Sequence, residues 1–156
     1  MSYGKNTNQG KFKPKNPNKY KGDANNIMFR SSWELKHMKR CDESPDIIEW
    51  SSEEIIIPYK TFDGVLHRYF IDFYMKVKQK DGSIKTFLVE IKPAQFAKPP
   101  KTPKKQTKRF ITEVLDYSKN IAKWKAADEF CRKNNITFMV LTEEGPIDWK
   151  KHAQIQ

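Results

Sequence analysis

Residues 68–93 read RYFIDFYMKVKQKDGSIKTFLVEIKP. Aromatic and β-branched residues run on either side of Asp81-Gly82, so the stretch predicts two antiparallel strands joined by a tight turn. Side chains alternate faces along a strand. Ile71, Phe73, Met75 and Val77 share one face with Phe87, Val89 and Ile91, an apolar set expected to be the core. The other face carries Asp72, Glu90 and Lys92, charged residues that core packing does not call for. Register decides whether these three meet. A two-residue loop at Asp81-Gly82 would pair Asp72 with Ile91 and put the carboxylates on opposite faces. A three-residue loop, Lys80-Asp81-Gly82 with Gly82 in a left-handed bulge position, pairs Gln79 with Ser83 and Asp72 with Glu90. Only this second register aligns the apolar faces, and it is the expected one. It sets Asp72 across from Glu90 at roughly 5 Å between Cβ atoms, with Lys92 two residues on along the same face.

Two carboxylates that close repel each other unless positive charge lies between them. A hard divalent cation supplies it: Mg²⁺ takes oxygen ligands, keeps some of its water and pairs with a substrate phosphate. The Lys92 ammonium beside such an ion would orient or deprotonate an attacking water. The pattern therefore suits phosphodiester hydrolysis. Taken alone it is a weak pattern, and an exposed charged row on the solvent face of a hairpin is the commoner source of such residues. A helix is expected from about Ser31 to Cys41, with Ser31 and Glu34 as a capping box and Leu35, Met38 and Cys41 as its apolar stripe. Glu34 lies on the apolar side of that helix. It is either the capping glutamate or a third acidic partner of the site.

The wider chain favours a nucleic-acid partner. Thirty Lys and Arg face 19 Asp and Glu in 156 residues, a net charge of +11, and a protein this basic is expected to meet a polyanion. The length suits one domain. Cys41 and Cys131 stand in no metal spacing and fit a reducing cytosol. No apolar run approaches the roughly 20 residues of a membrane span, and the N-terminus carries no secretory signal pattern. Residues 1–26, with six lysines and one acid, read as a basic, mostly disordered arm. The domain proper is expected over 27–145 and a polar tail over 146–156. Strands are expected at 47–50, 54–59, 65–77, 85–92 and 136–142. A long helix is expected from Phe110 through Cys131, ending at Asn134-Asn135. The order predicts an α/β fold with a mixed central β-sheet flanked by helices. The loop at 93–109 holds four prolines and six Lys or Arg with no acid. Its Lys98, Lys101, Lys104, Lys105, Lys108 and Arg109 are the expected contacts to a DNA backbone. Lys123 and Lys125 flank Trp124, and His67 and Arg68 lead into the strand of Asp72; these four are further candidates for phosphate contacts. No base-reading helix or zinc finger is visible, so sequence-specific cutting is not indicated.

A helix glutamate, then a strand aspartate, then Glu-x-Lys is an order that resembles the PD-(D/E)XK nuclease superfamily. The runs FRSSWELKHM, IIEWSSEEIIIPY, HRYFIDFYMKV, LVEIKP and AKWKAADEFC resemble, more closely, the head-completion nucleases of large tailed phages, over about residues 10–143. The transposon end-cleaving endonuclease subunit looks similar over the core alone. The resemblance implies a restriction-endonuclease-like core and a metal-dependent deoxyribonuclease, endonuclease or exonuclease, that trims packaged DNA ends during head completion and head–tail joining. By position, Glu34 would be the helical acid, Asp72 and Glu90 with the Ile91 carbonyl the metal ligands, and Lys92 the catalytic lysine. Mg²⁺ is the implied cofactor, with Mn²⁺ as a substitute. The implied partners are double-stranded DNA or DNA ends and phage head or portal proteins, with no membrane, for a monomer or homo-oligomer in the infected host cytoplasm or the virion. Ile71 stands where the superfamily often has proline. Two other readings remain: a non-catalytic DNA-binding structural protein of the virion, and the endonuclease subunit of a transposase-type complex.

Overall fold

The computed structural model describes residues 8–154. Its elements run β1 (Gly10–Phe12), β2 (Ile27–Phe29), α1 (Ser32–Glu43), β3 (Ile47–Ser52), β4 (Ile56–Lys60), β5 (Leu66–Phe70), β6 (Phe73–Lys78), β7 (Ile84–Ile91), α2 (Lys108–Lys133), β8 (Thr137–Thr142), β9 (Gly145–Ile147) and α3 (Trp149–His152). A five-stranded sheet, ordered β3-β6-β7-β8-β9, forms the centre, and two small hairpins, β1-β2 and β4-β5, flank it. Strands β7 and β8 are parallel and every other pair in the central sheet is antiparallel. The parallel pair follows from the long α2 crossover between them.

The decisive hairpin forms in the expected register. Phe73 pairs with Val89 and Lys78 with Ile84. The turn closes with Gln79 N donating to Ser83 O at 2.7 Å, and Gly82 sits at φ +87, a conformation that glycine adopts without the steric cost a side chain imposes. Ser31 caps α1 as expected, its Oγ accepting from Glu34 N at 3.0 Å.

Both faces of the sheet are buried, which corrects the expectation of one core face. Phe73, Val89 and Ile91 pack with Met38 and Cys41 of α1 and with Phe12, Ile27, Phe29 and Trp50. On the opposite face, Tyr74, Leu88 and Val140 pack under Trp124, Ala127 and Cys131 of α2, with Ile57, Tyr59 and Tyr69 of the β4-β5 hairpin. The side of the hairpin that carries Glu90 and Lys92 is therefore an interior. Helix α2 is buried only in its second half, at Trp124, Ala127 and Cys131. Val114, nearer its start, is exposed.

Three further expectations change. The expected strand 65–77 divides at Ile71-Asp72 into β5 and β6, in different sheets. Ile71 N still donates to Ile55 O at 3.0 Å, while Glu53 N reaches Ile71 O at 3.1 Å and Asp72 O at 3.2 Å. The chain thus changes partners at that point. Residues 8–26 of the arm pack against the domain, and its residues 1–7 lie outside the described residues. Phe12 and Tyr20 stack edge-on against Trp50, at 5.9 and 4.8 Å between ring centroids. Asp42 binds the backbone of the arm, its carboxylate accepting from Lys15 N at 2.8 Å and Asn16 N at 3.0 Å. A segment too polar to fold alone is held by a partner from α1. The tail also docks: β9 pairs with β8, and Trp149 packs edge-on to Trp124 at 5.9 Å. Its last two residues, 155 and 156, lie outside the described residues. Among the described residues no helix is long and apolar enough to cross a membrane.

The two cysteines are packed and free, and burial pushes each thiol up to about 12, so they stay protonated near neutral pH. His37 of α1 lies 4.4 Å from the Phe73 ring. Burial, aided by Arg40, depresses its imidazole to about 4. An unfolded chain takes up this proton near pH 6.5 and the folded one only near 4, so stability is lost as pH falls through that window. His37 accounts for about 3 kcal/mol of that loss at pH 4. Urea midpoints measured from pH 7 to pH 4 are expected to fall less steeply in His37→Leu than in the wild type. Parallel slopes would mean that His37 is protonated in the fold.

Candidate active site

Asp72 occupies the junction where β5 gives way to β6. Its carboxylate turns to the neighbouring strand, Oδ2 accepting from Ile91 N at 2.8 Å. Glu90 is across from it in the extended register of the hairpin, near the end of β7. Lys92 follows β7 and is tied to β8 through its N–H, which donates to Leu141 O at 3.0 Å. Glu90 and Lys92 are 2% and 3% exposed, so the open alternative of a solvent-facing charged row does not hold. The Lys92 ammonium lies 3.4 Å from Glu90 Oε1. Glu90 Oε2 accepts from the Tyr69 hydroxyl. The Glu90 carboxylate is therefore fixed at both oxygens.

Burial first, and then the charge of Glu90, hold the Asp72 carboxyl well above the usual carboxylate range. The Ile91 N–H pulls the other way, Glu34 adds to the rise and Lys92 opposes it. Glu34 is the capping glutamate. It completes the cap, with Oε2 accepting from Arg30 N at 3.2 Å and from Ser31 Oγ at 3.2 Å. Its charge also reaches Asp72. Burial raises its own carboxyl, with the Ser31 and Arg30 hydrogen bonds acting against that.

Four groups near these carboxylates escaped the sequence reading or were undervalued by it. Tyr69 was legible only as a strand residue. Arg30 pairs with Glu53, and the charges of Glu34 and Asp72 also act on it. Glu53 sits at φ +55, a left-handed conformation uncommon for a residue with a side chain, and nothing in Ser51-Ser52-Glu53-Glu54 announces it. Lys123 is the fourth. Its ammonium lies 5.4 Å from the Tyr69 ring and 5.9 Å from the Tyr59 ring. Burial lowers its pKa, opposed first by Glu90.

The structure divides the candidate DNA contacts. Lys123 turns toward the carboxylates, whereas Lys125, roughly 200° further round α2, is exposed. His67 lies on the Tyr69 face of β5 and stacks on Tyr59 at 5.3 Å. Arg68 is on the opposite, exposed face, over Phe70. The proline-rich loop and the first half of α2 enclose a cavity of about 690 Å³ that reaches Lys92 and is lined by Lys98, Lys101 and Arg109. Lys104, Lys105 and Lys108 are exposed outside it.

The chain belongs to the TnsA-like endonuclease family. The model of that family's N-terminal domain matches residues 44–143, a span holding Asp72, Glu90 and Lys92 but not Glu34. The fold is the restriction-endonuclease-like fold of that family, a mixed central sheet flanked by helices. Head completion nuclease of Enterobacteria phage T4 is 43% identical to this chain over 141 residues, covering 87% of this chain and 91% of that protein.

Proposed function

We infer that this chain is a deoxyribonuclease of phage head completion, and that it breaks phosphodiester bonds at packaged DNA ends. The observation that carries the reading is the buried Glu90–Lys92 pair across from Asp72 in a chain of an endonuclease family. A buried ion pair contributes little to stability compared with apolar side chains of the same volume. Its presence beside the buried aromatic and aliphatic residues under α2 favours a chemical role.

A divalent cation fits the residues present. Among the described residues no three His, Cys, Asp or Glu side chains gather closely enough to hold an ion alone. Asp72 and Glu90 with the Ile91 carbonyl form a sparse oxygen set, and Mg²⁺ is the ion that keeps several waters and takes one or two carboxylates; Mn²⁺ would substitute. The carboxyl of Asp72 is raised first by burial and then by the charge of Glu90, and a cation bound there would favour its charged form. Bound there, the ion would polarise the scissile phosphate and stabilise the charge that develops on it.

The remaining roles fall to the chain itself. Lys92, held by Glu90, presents its ammonium to the attacking water and keeps it aligned for in-line displacement. Tyr69 holds the second oxygen of Glu90 in place. Glu34 and the Arg30–Glu53 pair set the charge around Asp72. Lysines of the 93–109 loop grip the phosphate backbone without reading sequence.

The test is cleavage of circular and linear plasmid DNA by the full chain, with Mg²⁺ and with EDTA. Cutting that requires the ion is expected. Absence of cutting with Mg²⁺ or Mn²⁺ on circular, blunt and tailed substrates would overturn the reading in favour of a non-catalytic DNA-binding protein. DNA affinity in EDTA should fall on the order of 10³-fold between about 50 and 200 mM salt if the six loop cations contact phosphates. A shallow salt dependence would take the loop out of the DNA path.

A further inference from the structure

The cavity beside Lys92 has a feature that phosphate binding alone does not explain. Six cations line it, among them the buried Lys92 and, on the loop, Lys98 and Lys101, against two acids, Glu113 and Asp116. Glu113 is itself paired with Arg109 at 3.0 Å, so the lining is strongly positive. Within this cationic wall stands Phe96, a ring left 48% exposed.

Phe96 is held firmly. It ends a 3₁₀ turn, Ala94–Phe96, in which Phe96 N donates to Pro93 O at 2.9 Å and Ala97 N to the same oxygen at 3.2 Å. Glu143 clamps the turn from β8's end, its carboxylate accepting from Ala94 N at 3.0 Å. Ala94 and Ala97 are both buried. The ring thus stands on a fixed platform four residues beyond Lys92 in sequence, facing the same cavity. Across that cavity, α2 contributes a second aromatic, Tyr117.

A rigid aromatic face among lysines is the arrangement that binds unpaired nucleotides: bases stack on the ring and phosphates meet the cations. The volume of about 690 Å³ accommodates about one or two nucleotides and excludes a duplex. We propose that this cavity is a subsite for the unpaired strand at a DNA end, with Phe96 stacking a base, so that the enzyme acts on duplexes carrying a short single-stranded tail in preference to blunt ones. The proposal rests on the nuclease reading for its meaning, but it concerns binding and can be measured without cleavage.

The experiment compares binding of the full chain, in EDTA, to labelled hairpin duplexes that are blunt or carry a short 3′ or 5′ tail, with a free deoxynucleoside monophosphate as competitor. Wild type is expected to bind one tailed form about tenfold more tightly than the blunt one, the effect of stacking about one base. Phe96→Ala should remove that preference and leave blunt-duplex affinity unchanged, while Phe96→Trp, which restores a platform, should keep it. Equal binding of tailed and blunt DNA by wild type would overturn the proposal. So would an equal loss on both substrates in Phe96→Ala, or displacement of the tail by the monophosphate at concentrations matching the tail itself. The same DNAs are then incubated with Mg²⁺. A Phe96-dependent tail preference without cutting would sink the nuclease and leave the subsite standing. Cutting without tail preference would do the reverse.

Discussion

Asp72→Asn is expected to abolish cleavage and, in the same molecule, to stabilise the metal-free fold. The amide keeps the size of the side chain and an oxygen for the Ile91 N–H, now 2.8 Å from Asp72 Oδ2. Only the charge is lost. That charge is held against burial and against Glu90, with Glu34 adding to the opposition. The carboxyl of Asp72 therefore titrates above its ordinary range in the fold and near the usual 3.9 or so in the unfolded chain. As pH rises from that value, the unfolded chain releases the proton first. Stability falls with rising pH until the raised folded value is passed. The Tm of Asp72→Asn should match wild type in acid and exceed it increasingly toward neutral pH. If Asp72 ligates Mg²⁺ as proposed, the ion should raise the Tm of wild type by binding the folded chain and should leave the variant unmoved. On the proposed reading Asp72 is a metal ligand, whose loss removes several kcal/mol of transition-state stabilisation, so cleavage should drop on the order of 10³-fold or more. Normal cutting by Asp72→Asn, or a Tm difference that does not change with pH, would remove Asp72 from the centre of the site.

The features legible in the sequence are those governed by neighbours. The register of β6 and β7 followed from alternation and from Gly82, and the start of α1 from Ser31 and Glu34. These are interactions across a few residues, and pattern rules capture them. What escaped depends on partners far along the chain. The ordering of the arm needs Asp42, which lies 26 and 27 residues from the amides it binds. The division of the expected strand at Ile71-Asp72 needs Ile55 O and the left-handed Glu53. Tyr69 became part of the site through a hydroxyl that reaches a strand 21 residues on. The burial of Glu90 and Lys92 was hidden for a related reason. A strand rich in apolar residues on both faces can be central, and Leu88 and Tyr74 cover the face that carries Glu90 and Lys92. The candidate carboxylates and both lysines could be named in advance; the tyrosine and arginine around them could not.

The second large effect concerns Glu90 and Lys92 together. The two charges lie 3.4 Å apart with almost no exposure, and removing one leaves the other charged in an interior. Breaking a buried pair from one side costs about 3–5 kcal/mol, whereas replacing both members is often neutral. Lys92→Met and Glu90→Gln should therefore each lower the unfolding free energy by about 3 kcal/mol, and the double variant by much less than the sum. A loss of cleavage in either single variant is ambiguous, because a weakened fold loses activity too. The double variant separates the two causes. If the pair serves only the framework at the end of β7, a double variant that regains stability should regain cleavage with it. If Lys92 serves the attacking water and Glu90 the ion, stability returns and cleavage does not. Urea unfolding and cleavage of tailed DNA, run on the four proteins of this cycle, read the two quantities independently, and recovery of both would reassign the pair to the framework and leave Asp72 to be explained without it.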